Sequence, residues 1–320
     1  MYSLQKGRTF YTSNAGLPEL RDEICKNIKR KYGLDYDSIK EINPRLIYCS
    51  ITGFGQTGPM AKEPGYDFII QGMGGLMSIT GERDDLPGGG PQKAGVAVTD
   101  LMTGMYATIG ILGALQERNK SGLGQHIDVA LLDCHIAMLA NQNLNYMTSG
   151  VAPKRAGNAH QNVVPYQVFA SSDGHLIVAV GNDRQFAAYS KAIGRPDLAE
   201  NPDYTTNSSR LKNRKELIAI LEPIMRTDTR DNWLDKLKAA GVPCGPINTI
   251  DQVFEMPQVK ARNIWKTVEH PMAGVAPTTA NPINYSATPI QYRMAPPLLG
   301  EHTEEILREF NLDKQYKLNK

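Results

Sequence analysis

Arg45-Leu46-Ile47-Tyr48-Cys49-Ser50-Ile51-Thr52 runs directly into Gly53-Phe54-Gly55-Gln56-Thr57-Gly58-Pro59. The span Arg45 to Ile51 is β-branched and aromatic enough to read as a buried strand, and the glycine-rich tail reads as a loop. A buried strand that ends in such a loop fits an α/β architecture, and in open sheets of that class ligands bind beyond the carboxyl ends of the strands. The loop after Ile51 is therefore the first place to look for a site.

Upstream, Pro18, Glu19, Leu20, Arg21, Ile24 and Ile28 predict an amphipathic helix over 18–32 with proline in its first turn. Downstream, apolar residues surround small ones from Asp67 to Thr80, and Gly81 to Gly90 is a charged surface loop. Its Gly88-Gly89-Gly90-Pro91 segment lacks the Lys-Ser/Thr pair of a P-loop and reads as a hairpin or linker. Ala94 to Val98 reads as extended. Thr99 or Asp100 then opens a helix that carries Leu101, Met105, Ile109, Leu112 and Leu115 and closes at Gly122. Gly104, Gly110 and Gly113 each cost that helix roughly 1 kcal/mol against alanine. A helix bears such a cost where something approaches its backbone, so packing on more than one side is expected.

A second helix is predicted over Ile127–Tyr146, and at Gly150–Gly157 the chain becomes linker-like. Strands follow at Val163–Ala170 and His175–Val180, joined at Ser171–Gly174, then helices at about 183–193, 209–226 and 229–240 and a strand near 243–249. Residues 266–300 are proline-rich and read as irregular, before a last helix at about 301–310. Two lobes divided near residue 150 result, with no internal repeat or low-complexity tract.

With 35 basic against 33 acidic residues the net charge is +2, which gives no reason to expect a nucleic-acid partner. The apolar stretch 94–116, which could suggest a membrane span, contains Asp100 and recurring glycines and reads as a buried core helix, so no membrane is expected. Met1-Tyr2-Ser3-Leu4-Gln5-Lys6 has no apolar core of a signal peptide, and a cytoplasmic location is the expectation. Cys25, Cys49, Cys134 and Cys244 are too far apart for a metal knuckle or a redox pair and read as reduced thiols. His126, His135, His175, His270 and His302 show no metal-ligand spacing, so no metal is expected.

Asp100 is the first candidate for chemistry. At a helix start its carboxylate faces unpaired N–H groups and the positive end of the macrodipole, which keep it ionised, as a cap or as a nucleophile. Tyr66 and Asp67 join a charged loop to an apolar segment, where they can anchor a turn and cap a helix or meet a ligand. His160, between Asn158 and Gln161, sits in a polar loop of the kind that contacts solvent or substrate. No GxSxG elbow and no GxGxxG after a strand support a hydrolase or a dinucleotide enzyme.

The run from Pro44 to Pro59, GYDFIIQGMGG at 65–75, AGVAVTDLMTGMYATIGILGAL at 94–115, GLGQHIDVALLD at 122–133 and PLLGEHTEEIL at 297–307 closely resemble the class III coenzyme A transferases, the CaiB/BaiF family. The resemblance covers about residues 35–312. It implies a Rossmann-like domain plus a smaller α+β domain, a homodimer of interlocked chains, and transfer of CoA from an acyl-CoA to a small carboxylic acid. The implied nucleophile is Asp100, and the implied CoA-contacting stretch is Pro64, Gly65, Tyr66 and Asp67. The implied substrate loop, Gly157 to Asn162, contributes Asn158, His160 and Gln161 and lacks the glycine run of the formyl-CoA transferases, which points to an acid other than oxalate. For the oxyanions of the reaction the backbone N–H groups of Leu101 and Met102, or of Gly74 and Gly75, are the expected donors. The CoA thioester is the substrate, and no cofactor is expected.

Related racemases of α-methylacyl-CoA esters carry histidine where this chain has Tyr66. A tyrosine of ordinary pKa, about 10, is a poor base for an α-proton at neutral pH, so transfer is favoured over racemisation. A non-catalytic remnant is the remaining alternative. Tyr11 to Arg21 resembles the early segment of PLP-dependent class I/II aminotransferases, without the part that would hold a Schiff-base lysine. The expected plan is a foreign leader at 1–34, a partial, N-terminally shortened Rossmann-like domain at 35–150, a small α+β domain at 151–275 and a return segment with a helix at 276–320.

Overall fold

The structure, a computed structural model, describes residues 35–311. The helix expected at 18–32 and the leader at 1–34 lie outside the described residues. Helix α1 (Tyr36–Ile42) opens on Asp35, whose side chain accepts the Ser38 N–H, and leads into strand β1 (Tyr48–Thr52). The strand starts three residues later than the apolar run suggested, because Arg45 and Leu46 serve the loop that joins α1 to it.

Beyond β1 come α2 (Asp67–Met73), α3 (Leu76–Ile79) and the long α4 (Val98–Ser121), which ends at Gly122 in the left-handed conformation, φ +78°. Residues 94–97 form no strand, and Val98 already belongs to the helix. The chain then returns as β2 (His126–Ala130), parallel to β1, with Tyr48 opposite His126 and Thr52 opposite Ala130. The helix expected over 127–146 is therefore a strand followed by α5 (Leu131–Met138) and α6 (Asn141–Ser149), interrupted at Ala140, φ +47°. Ile127, Val129 and Leu131 fit a period of two as well as a helical stripe, and the available partner strand decides between them.

Helix α4 packs on β1, β2 and α5 along one side only, burying Thr99, Thr103, Ala107 and Ala114. Leu101, Met105, Ile109 and Leu112 are exposed, and open space faces Gly104 and Gly113. The expectation of a core helix packed on several sides is thus corrected: Gly110 packs against Ile127, whereas Gly104 and Gly113 leave a bare surface. By length and apolar composition α4 would also suffice to cross a membrane.

The second half carries the larger core. Strands β3 (Tyr166–Ala170), β4 (His175–Ala179) and β5 (Cys244–Pro246) form an antiparallel sheet, with Phe169 opposite Leu176 and Val178 opposite Cys244. Packed on it or beside it are α7 (Asp183–Ala192), α8 (Asp197–Glu200), α9 (Asn207–Lys212), α10 (Arg214–Met225) and α11 (Arg230–Ala239). Leu176, Val178, Tyr189, Leu217, Leu221 and Leu237 are fully buried between them. Arg210 is buried in the same layer. Its guanidinium donates to Val164 O, Tyr204 O and Asp183 Oδ1 at 2.7, 2.9 and 2.8 Å and lies 4.4 Å from the Phe186 ring centroid.

Two short helices, α12 (Ile250–Glu255) and α13 (Pro257–Ala261), precede a hairpin of β6 (Trp265–His270) and β7 (Gly274–Thr279). The hairpin corrects the irregular reading of the start of 266–300. His270 Nδ1 accepts the N–H groups of Met272 and Ala273 in its turn, and Gly274 takes φ +70°. Helix α14 (Thr303–Glu309) closes the described chain.

Candidate active site

The site forms where β1 ends. Gly53 and Gly65 lie backbone against backbone: a Cβ on Gly53 would sit 2.6 Å from the Gly65 Cα, and one on Gly65 2.5 Å from the Gly53 Cα. Only glycine fits at either position. Gly53 O accepts the Leu132 N–H at 3.1 Å, Thr52 Oγ1 accepts the Gly55 N–H at 2.9 Å, and Asp128 Oδ2 accepts the Gln56 N–H at 2.9 Å. The glycine loop is thereby fastened to both strands, and it holds Pro64 to Asp67 beyond their carboxyl ends.

Asp67 opens α2 and reaches across to the start of α4. Its Oδ1 accepts the Thr99 N–H at 2.8 Å and its Oδ2 accepts Gln71 Nε2–H at 2.6 Å. Gln71 is fully buried, and its Oε1 accepts the Ala94 N–H at 2.8 Å. Thr99 Oγ1 meets Nδ1 of the fully buried His135 at 2.7 Å. His135 Nε2 has no hydrogen-bond partner among the described residues. Burial lowers the His135 pKa below the usual imidazole value, against the nearby Asp67 charge, which raises it. Gly74 makes room for that ring, since a Cβ there would lie 2.3 Å from His135 Cδ2.

One expectation is corrected here. Asp100 does not cap α4: the N-cap is Ala97, which offers no side-chain acceptor, Asp100 is the third helical residue, and Asp67 supplies the missing acceptor from another helix. Asp67, expected to contact CoA, lines the cavity and also accepts a hydrogen bond on each of its oxygens within the protein.

Asp100 opens onto a cavity of about 540 Å³, walled by Ile51 to Gly53, Ala61, Glu63 to Asp67, Thr103, Gly104 and Leu131. Its side chain is exposed at the cavity rim rather than dry. Partial burial against the walls, and secondarily the Asp67 charge, raise its pKa above the usual carboxylate value. Because open space faces Gly104, a ligand can approach the backbone of α4 one turn beyond Asp100.

Of the residues expected at the site, Asp100, Pro64, Gly65, Tyr66 and Asp67 share this cavity. Leu101, Met102, Gly74 and Gly75 do not line it. The Leu101 N–H donates to Ala97 O at 3.1 Å and the Gly74 N–H to Ile70 O at 2.7 Å, so neither is a free oxyanion donor. Met102 lies within the helix as well. Asn158, His160 and Gln161 also stand outside this cavity, against the second lobe. There the His160 N–H donates to Tyr166 O at 2.9 Å, and Arg214 donates to His160 O and Gln161 O at 2.7 and 2.9 Å. From sequence Thr99 shows only as a helix start and His135 only as a candidate metal ligand, and Gln71 escapes notice, although it is a lone polar residue in an apolar helical run, which is the signal that betrays it.

Comparisons with known proteins show the family. The family profile described as CoA-transferase family III matches residues 25–303. The chain belongs to that enzyme family, and its α/β fold is the family's fold. Among named relatives, the succinate–glutarate CoA-transferase of Agrobacterium fabrum is 47% identical over 292 residues, covering 90% of this chain and 72% of that protein. The human succinyl-CoA:glutarate CoA-transferase is 42% identical over 87% of this chain, which spans 62% of the human protein. A crystal structure of a CAIB/BAIF family protein from Brucella suis matches with a TM-score of 0.72 at 49% identity, over 88% of this chain and 72% of that one. The family match begins at residue 25, inside the segment expected to be foreign, and the aminotransferase resemblance is not borne out.

Proposed function

We propose that this chain moves coenzyme A from an acyl-CoA to a small carboxylic acid with Asp100 as nucleophile. The observation that carries the reading is the place of Asp100: in the first turn of α4, at the rim of a cavity beyond the end of β1, beside the bare backbone at Gly104.

The Asp100 carboxylate attacks the thioester carbonyl, the C–S bond breaks, and CoA leaves as thiolate from a mixed anhydride. The thiolate attacks the aspartyl carbonyl and expels the donor acid as carboxylate, leaving an aspartyl-CoA thioester. The acceptor carboxylate attacks that thioester and releases the thiolate again. The thiolate then takes the acceptor acyl group and restores Asp100. Two carboxylates and two thioesters exchange partners, and no electron or net proton is transferred.

The names of the two relatives support short dicarboxylic acids such as succinate and glutarate as the acids exchanged. Tyr66 lines the cavity where a racemase would need a proton-transferring base, which supports transfer. The exposed stripe Leu101, Met105, Ile109 and Leu112 supports a homodimer, and the free thiols Cys49, Cys134 and Cys244 suit the reducing cytoplasm. The test is formation of glutaryl-CoA from succinyl-CoA and glutarate, followed by mass spectrometry. Transfer by the chain and its loss in Asp100→Ala are expected; transfer that survives Asp100→Ala refutes the assignment.

A further inference from the structure

Helix α4 begins without a cap of its own, since Ala97 offers its orphan N–H groups no side-chain acceptor. The Thr99 N–H, one residue before Asp100, is taken up by Asp67 Oδ1 at 2.8 Å. Asp67 is itself fixed by the fully buried Gln71, which is held in turn by the Ala94 N–H. Thr99 is held a second time through its hydroxyl, by His135. The turn that carries Asp100 is thus clamped from α2 and α5, and one jaw of the clamp is a carboxylate that lines the same cavity.

We propose that Asp67 is a positioning residue for Asp100, which fixes the first turn of α4 and places a permanent negative charge that favours the acylated over the free form of Asp100. The chemical half of this inference rests on Asp100 being the nucleophile. As a free carboxylate, Asp100 shares the cavity with the like charge of Asp67. When its oxygen forms a bond to an acyl carbon, or its carbonyl carbon to the CoA sulfur, the negative charge leaves with the thiolate or with the donor carboxylate. Acylation relieves the repulsion, as protonation of Asp100 also does, so part of the energy of the like-charge pair is recovered at the step where the enzyme must hold an acyl group. The raised pKa of Asp100 has the sign this arrangement requires. The other titratable groups facing the pair are Glu63 and Tyr66 from the loop before α2, and His135 from α5; none of them brings a permanent positive charge.

The charge and the hydrogen bond are separable. Asp67→Asn keeps an oxygen for the Thr99 N–H and removes the charge; Asp67→Ala removes both. Asp67→Asn/Gln71→Glu gives the asparagine N–H and the Ala94 N–H an acceptor again and returns a carboxylate beside position 67, so it is the control in which the charge effect is expected to come back in part. In carbon-13 spectra of chains with labelled aspartates, the Asp100 carboxyl of Asp67→Asn is expected to titrate at lower pH than in the parent. The Thr99 amide, unprotected in an ordinary second helical position, is expected to exchange about tenfold faster in Asp67→Ala, as for one lost hydrogen bond, and at the parent rate in Asp67→Asn. With succinyl-CoA the fraction of chain carrying an Asp100 adduct is expected to fall in Asp67→Asn. An unchanged Asp100 titration and adduct fraction in Asp67→Asn overturn the inference while leaving the nucleophile in place. A parent chain that never forms the adduct overturns the nucleophile, and this inference with it.

Discussion

Gly53 and Gly65 touch through their backbones, and that contact sets the distance between the end of β1 and the start of α2. A methyl group on either would come within 2.6 Å of the opposite Cα. Gly53→Ala or Gly65→Ala must therefore push the Pro64–Asp67 wall away from the strand. A loss of about 1–3 kcal/mol is expected, as for other overpacked sites. A raised KM for acyl-CoA should accompany it. Urea denaturation and steady-state kinetics check both, and a parent-like midpoint would mean that the loop yields freely.

Gly104 poses the opposite case, because open space faces it inside a helix. Gly104→Ala is expected to stabilise the chain by up to about 1 kcal/mol from helix propensity alone. Gly104→Leu should keep part of that gain and fill the cavity beside Asp100. Thermal unfolding should show the stabilisation while acyl-CoA turnover drops by an order of magnitude or more. Full turnover in the leucine variant would remove this cavity from the reaction.

The buried ring of His135 predicts an acid-sensitive fold. Burial holds its pKa below that of the unfolded chain, which is near 6.5 for an ordinary histidine. Between the folded and unfolded values the unfolded state binds more protons, so stability is complete above about pH 6.5 and falls as pH drops below it. The urea midpoint of the parent should decline over that range. His135→Asn retains a polar partner for Thr99 and should lose this part of the decline; an identical profile in the variant would assign the acid sensitivity elsewhere.

Arg210 organises the second lobe by donating to three backbone carbonyls, of Val164, Tyr204 and Thr205, and to Asp183 from a fully buried position. Arg210→Ala leaves these carbonyls without a partner and opens a hole beside Phe186. A destabilisation of about 3 kcal/mol is expected by calorimetry, with Arg210→Lys intermediate because a single ammonium does not span the same acceptors. A change below about 0.5 kcal/mol, the range of surface substitutions, would contradict this.

Much of this architecture was legible locally. The apolar run before Gly53 marked β1, Ser171–Gly174 marked the β3–β4 turn, and Gly122 marked the end of α4, because each depends on neighbouring residues alone. Strand β2 was hidden because Ile127 to Leu131 satisfies two periods, and its partner lies far away in sequence. The exposed face of α4 was misread because all three of its glycines were assigned to close packing, whereas only Gly110 meets a neighbour and Gly104 and Gly113 leave surface bare. At the site, Asp100 and Pro64–Asp67 were found from sequence, but not their division of labour. That Asp67 caps the helix of Asp100 depends on how α2 and α4 cross, which no local pattern encodes.

The central claim is that Asp100 becomes acylated, and trapping tests it most directly. The chain is incubated with succinyl-CoA, quenched with hydroxylamine, digested and mapped by mass spectrometry. A hydroxamate on Asp100, absent when succinyl-CoA is omitted, is the predicted result. Succinyl-CoA turnover with an unmodified Asp100 would contradict the account.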